Sequence, residues 1–144
     1  MPWRVPAVRL DRGQHKRRLD RLCRAVVMER DGHRCARCGA TRKLGKQYQV
    51  VRVQWAHVHT RGWLALRWDP DNSMALCARC HLMWHGTIPG HEREMRGWWE
   101  ATYPERACRL NLALRTRHKV DVALIEVALR RDFRALTGLD WAGA

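Results

Sequence analysis

Four cysteines fall in two Cys-x-x-Cys pairs, Cys35 with Cys38 and Cys77 with Cys80. A two-residue spacer lets both sulfurs of a pair face one ion at about 2.3 Å, so two such pairs make a tetrahedral structural zinc site. A reducing compartment disfavours disulfides among them. Between and after the pairs stand His57, His59, Asn72, His81 and His85. His57 and Asn72 are 15 residues apart, Asn72 and His81 are 9 apart, and His81 and His85 are 4 apart. The last interval is about one helical turn and puts both imidazoles on one face. Taken singly, each residue also has a plain structural reading. His81 directly after Cys80 suits a knuckle histidine or an alternative zinc ligand, and His57 suits hydrogen-bonded scaffolding. Asn72 after Asp71 suits a turn or a helix N-cap.

These side chains need elements to position them. Met1 to Gln14, with Pro2, Pro6 and Gly13, reads as an extended arm or a disordered leader. From His15 to Arg30 the apolar residues Leu19, Leu22, Cys23, Val26 and Val27 recur at three- and four-residue steps, the mark of an amphipathic helix ended by Asp31 and Gly32. The first knuckle is followed by a polar loop and by Gln47 to Trp55, whose alternation predicts a strand. Thr60 to Asp71 reads as a loop, and Ser73 to Trp84 as the second knuckle running into a short helix that stops at Gly86. Helices are expected over 91–102, 105–115 and 121–136, the last capped by Gly138. Cys23 and Cys108 fall at apolar helix positions and read as buried small hydrophobes. The expected organisation is a basic arm and helix over 1–29, a metal-bearing core over 30–86 and a helical wrap over 87–144, all in one α+β domain.

The run Trp55-Ala56-His57-Val58-His59-Thr60-Arg61, then Trp68 to Asn72, then Leu76 to His85 resembles the HNH endonucleases, the zinc-stapled subset of the ββα-metal nucleases, over residues 20–86. The helices around it resemble the small phage-type members. That resemblance implies a ββα-metal core and hydrolysis of phosphodiester bonds in duplex DNA. It implies His57 as general base, since neutral imidazole near pH 7 can take a proton from water. It implies His81 and His85 on one catalytic divalent ion (Mg2+, Mn2+, Ni2+ or Zn2+) that offsets charge on the phosphate and the leaving 3′-oxygen. Asn72 would pin the loop between strand and helix, or help to ligate the metal. One position departs from the pattern. The family commonly has a ligating Asp or His before the base, and here Ala56 stands there, with His59 two residues on as a substitute ligand. A zinc-stapled DNA-binding or assembly protein without catalysis is therefore a second reading, and a structure-selective recombination nuclease a third.

The 144 residues carry 28 Lys and Arg against 14 Asp and Glu, a net charge of +14, and only four of the basic residues are lysine. Such an excess calls for a polyanionic partner, and arginine suits phosphate because its planar fork donates two parallel hydrogen bonds. DNA is the expected partner, with Arg61, Arg67 and Arg79 as phosphate contacts near the motif. Arg61 or Arg67 could instead pair with Asp69 or Asp71. Lys16, Arg17, Arg18, Arg21 and Arg24 spread over the first helix and suit a DNA backbone as well. Trp63 and Trp68 are the candidates for base stacking, whereas Trp98 and Trp99 beside Met95 read as core. The longest apolar runs, Val26 to Met28 and Ala123 to Ile125, are far short of a membrane span, and Arg4 and Arg9 interrupt the first ten residues. The expected location is the cytoplasm, that of the host if a phage encodes the chain. A homodimer or an assembly with other phage proteins fits this picture.

Overall fold

The computed structural model describes residues 11–40, 52–116 and 119–143. It is an α+β structure, as expected. Among the described residues it has six α-helices and one two-stranded antiparallel sheet. Helix α1 spans Arg12–Arg30, strand β1 Val53–His57, helix α2 Leu64–Arg67, strand β2 Ser73–Cys77 and helix α3 Ala78–Trp84. Helices α4 (Glu92–Thr102), α5 (Pro104–Leu114) and α6 (Val122–Thr137) follow.

Helix α1 begins three residues before the expected start. The Asp11 carboxylate accepts from the Gln14 backbone N–H at 2.7 Å, and the Gln14 side chain accepts from the Asp11 N–H at 3.0 Å. This reciprocal box satisfies two orphan donors and outweighs the helix-weakening Gly13 between them. The rest of the expected arm, residues 1–10, lies outside the described residues. The expected strand also moves. β1 starts at Val53 and runs on through His57, and residues 47–51 lie outside the described residues. The stretch read as a loop contains the short helix α2 and a 3-10 turn at Pro70–Asn72, started by the Asp69 carboxylate, which accepts from the Asp71 N–H at 3.0 Å. Residues 73–77, read as part of the second knuckle, form a full strand instead.

β1 and β2 pair in the register Val53 with Cys77 through His57 with Ser73. A hairpin of two five-residue strands is marginal alone and must be covered on both faces. The pleat divides the work. Ala56, Met74 and Leu76 face a core completed by Trp84 of α3, Met95 and Trp99 of α4 and Leu110 of α5. Trp55 joins the opposite core, built on Leu19, Leu22, Cys23, Val26 and Val27 of α1 with Trp68 and with Leu129 of α6. Cys23 is buried as expected, whereas Cys108 is exposed because it lies on the outward side of α5, away from Ala107 and Leu110.

Partly buried polar contacts tie α1 to the hairpin. Arg30 donates to the carbonyls of Pro70 at 2.6 Å and Ser73 at 2.8 Å, and the Asp31 carboxylate accepts from the Ala75 N–H at 2.8 Å. Nearer the middle of α1, Asp20 accepts from Arg67 at 2.7 and 2.9 Å and from the Trp68 indole at 2.8 Å. Burial pushes the Asp20 carboxyl up, but the bonds from Arg67 and Trp68 pull it further down, so it sits below its ordinary value. Asp20→Ala leaves three partly buried donors without an acceptor and should cost about 2–4 kcal/mol in urea unfolding at pH 7. A group with a lowered folded pKa stabilises above its unfolded value, so this contribution is complete above about pH 4 and fades as the pH falls towards the folded value. Wild type and variant should therefore converge in acid, and a gap that stayed constant with pH would remove the ion pair as its cause.

Candidate functional site

The two knuckles meet at one end of the hairpin. In the first, Gly39 takes a positive φ of 71°, and its N–H closes the turn onto the Cys35 carbonyl at 2.8 Å. The Ala36 N–H bonds the Ala75 carbonyl at 2.8 Å, which docks this turn on β2. In the second, Cys77 ends β2 and caps α3, its sulfur accepting from the Cys80 N–H at 3.5 Å. The sulfurs of Cys35, Cys38, Cys77 and Cys80 all lie within 4.8 Å of one another, and those of Cys38 and Cys77 are 3.8 Å apart. Four thiolates at about 2.3 Å from a tetrahedral zinc would be separated by about 3.8 Å, so the residues fit the ion. Among the described residues this is the one cluster of three or more ligand side chains.

His57 closes β1. It is 7% exposed, its ring lies 4.2 Å from that of Trp55, and its Nε2 is 3.1 Å from the Arg67 carbonyl oxygen. A carbonyl only accepts, so Nε2 carries the proton and Nδ1 keeps the lone pair. Burial pushes the imidazole below its ordinary pKa, the carbonyl bond opposes this, and the charge of Arg61 reinforces it. The ring is therefore neutral at pH 7. Asn72 is fully buried and ties down the loop that follows. Its Oδ1 accepts from the His59 N–H at 2.9 Å, and its amide donates to the carbonyls of His59 and Leu66, each at 3.0 Å. The segment carrying Arg67, which orients His57, is thus held to the end of the strand through one side chain.

His81 and His85 lie on α3, which packs on the Gln54 and Ala56 face of β1 and reaches the end of the strand, where the Trp84 indole donates to the His57 carbonyl at 2.9 Å. Gln54 Oε1 is 2.6 Å from His81 Nδ1. Since Oε1 can only accept, Nδ1 is protonated and Nε2 keeps its lone pair, which here accepts from His85 Nε2. The His81 and His85 Nε2 atoms are 2.9 Å apart. Two imidazole nitrogens about 2.0–2.1 Å from one ion would be about 2.9–3.4 Å apart for octahedral or tetrahedral angles, so the spacing of this pair is compatible with two ligands of one ion, and Gln54 sets the His81 tautomer. Neither His57 nor His59 joins the pair within 4.8 Å to make a three-residue cluster. Ala56, on the same face as Gln54, is 0% exposed. Arg96 of α4 was not singled out from the sequence. It donates to the Val58 carbonyl at 3.1 Å, stacks 3.9 Å from the Trp84 ring, and its charge adds to burial in lowering both His59 and His85. Only folding of α4 onto α3 brings it there.

The expected phosphate contacts separate. Arg61 and Arg79 are exposed, Arg61 close enough to act on His57 and Asp20. Arg67 is committed to Asp20 rather than to Asp69 or Asp71, so it positions His57 through its own carbonyl and is not a free clamp. Asp69 and Asp71 instead take Arg109, at 2.7 and 3.0 Å. Trp68 is 4% exposed with its N–H bound to Asp20, which corrects the stacking assignment, while Trp63 is 52% exposed. Trp99 is buried and Trp98 packs beside it, as expected. No protein-family model, curated protein or solved structure matches the chain. Its chemistry rests on the geometry above. Among the described residues, no helix is long and apolar enough to cross a membrane.

Proposed function

We propose that the chain is a metal-dependent endonuclease of the HNH type, hydrolysing phosphodiester bonds in DNA. The observation that carries this reading is the pre-set state of its histidines. His57 offers a neutral Nδ1 with its other nitrogen tied to Arg67, and across the strand His81 and His85 turn two nitrogens to one point with Gln54 behind. In the proposed reaction, water attacks phosphorus as its proton passes to His57 Nδ1, and the bond to the leaving 3′-oxygen breaks. Arg61 neutralises phosphate charge beside His57, and Asn72 keeps the loop from drifting. His81 and His85 would hold a divalent cation, which supplies compensation for charge developing on the phosphate and leaving oxygen.

The full burial of Ala56 favours the second reading, a DNA-binding module without catalysis, because the cation pair has no third protein ligand there. Supercoiled-plasmid cleavage by the zinc-loaded protein separates the two. Nicking that requires added Mg2+, Mn2+ or Ni2+ is the expected result. Folded protein that retards DNA and cuts it in none of these ions would establish the binding module instead.

A further inference from the structure

The outward face of α1 carries charge that the fold does not neutralise. Apart from Gln14, its exposed positions are Arg12, Lys16, Arg17, Arg21 and Arg24. The carboxylates of the helix are engaged elsewhere, Asp20 with Arg67 and Trp68 and Glu29 with His33. Among the described residues, Arg17, Arg21 and Arg24 have no acidic partner within 4.0 Å, whereas Arg18 is held by Glu126 at 2.8 Å. Their spacing is i, i+4, i+7, a single stripe about 10 Å long at about 1.5 Å per residue.

This stripe is one wall of a groove. One part, of about 480 Å3, is lined by Arg17, Arg18 and Arg21 with Arg130 of α6 and residues 142–143 opposite. The other, of about 400 Å3, lies between Arg21, Arg24 and Trp141. Arg21 borders both, so the two hollows lie side by side along α1, with Glu29, itself paired with His33, at the far edge of the second. The base is rigid, because Glu126 fixes Arg18 and Arg130 together and Arg130 also donates to the Trp141 carbonyl at 3.2 Å. Glu126 offsets only part of that charge.

We infer that this groove binds the phosphodiester backbone of a nucleic acid, at a place separate from the histidines of β1 and α3. Guanidiniums that converge on a point would suit a small anion, but these stand in a row about 10 Å long, the axial length of about three phosphate steps at about 3.4 Å per strand. The groove offers fork donors, and its one aromatic wall, Trp141, already carries Arg130 over its ring at 5.4 Å, so it suits backbone rather than bases. Only the choice of DNA as the polymer rests on the nuclease reading.

The test is duplex binding by the zinc-loaded full chain, followed by fluorescence anisotropy across salt concentrations. Changing Arg17, Arg21 and Arg24 together to Ala should make the slope of log K against log salt shallower by about 2–3, equally for unrelated sequences, with the melting temperature unchanged. A triple change to Gln repeats the measurement if the Ala variant fails to fold, and a triple change to Lys should keep most of the slope. An unaltered slope overturns the groove. So does duplex binding that is insensitive to pyrophosphate saturating these arginines, which would mark a small-anion site, or binding to phosphatidylserine vesicles in place of DNA. Loss of the slope with no plasmid cleavage in any metal removes the nuclease and keeps the groove. Cleavage with an unaltered slope removes the groove alone.

Discussion

Cys77→Ser should abolish metal uptake and the cooperative thermal transition together. Cys77 has three duties at one position. It ends β2, caps α3 through its sulfur, and stands 3.8 Å from the sulfur of Cys38 on the other knuckle. A structural zinc supplies folding free energy on the order of 10 kcal/mol or more, comparable to the whole stability of a domain of this size. The metal site is part of the sheet's inner core, which includes Cys35, Cys77 and Cys80 themselves, so losing the ion also loosens that packing. Zinc content by metal analysis and a melt followed by circular dichroism measure both effects. Cys108→Ser, on an exposed face of α5, is the control and should leave both unaltered. A Cys77→Ser protein that melted at the wild-type temperature would show that the four sulfurs gather without holding the fold.

The cysteine cluster was readable because its signal is local. Each Cys-x-x-Cys spacing already limits where its two sulfurs can point, and chemistry supplies the rest. The long helices were readable for the same reason. Asp121 accepts from the N–H groups of Ala123 and Leu124, and Gly138 closes α6 at a φ of 73°, both placed where cap residues predict. The start of α1 is equally local, but Gly13, a poor helix former, masks the Asp-x-x-Gln box around it. β2 was hidden for another reason. All five of its residues are buried, so it has no alternation, and it runs straight into a knuckle whose cysteines dominate the pattern.

What sequence could not supply was the pairing of charges across elements. Arg67 meets an aspartate 47 positions away, and Arg96 reaches the Val58 carbonyl from 38 positions away. Proximity in sequence had suggested Asp69 and Asp71 for Arg67, yet these belong to Arg109 on α5. The consequence for the site is chemical. An arginine that seemed free for phosphate is a strut under the histidine, and the freer cations lie on the far side of α1. The spread of charge along that helix was visible, but the buried stripe from Leu19 to Val27 confines it to the outward side.

In the proposed reaction, His57→Ala should lower the rate of plasmid nicking by about 10^2–10^4-fold at every metal concentration, while DNA binding persists. His81→Ala should behave differently, with a metal requirement shifted to higher concentration and activity partly regained there, because His85 and water still offer ligands. The contrast follows from position. His57 has one nitrogen tied to the Arg67 carbonyl and the other free, the arrangement of a proton acceptor, whereas the His81 nitrogen opposite Gln54 is turned to a second imidazole at 2.9 Å, the arrangement of a ligand pair. Removing the acceptor alters the proton step and leaves metal affinity unchanged; removing the ligand alters affinity first. His57→Gln accompanies the alanine change, since the ring packs on Trp55 and its loss leaves a cavity. His81 neighbours Cys80, so zinc content is measured on that variant before its kinetics. Wild-type nicking by both His57 variants would remove His57 as the base. An unshifted metal midpoint in His81→Ala with full zinc content would take His81 off the catalytic ion, and the Gln54 bond would then be packing alone.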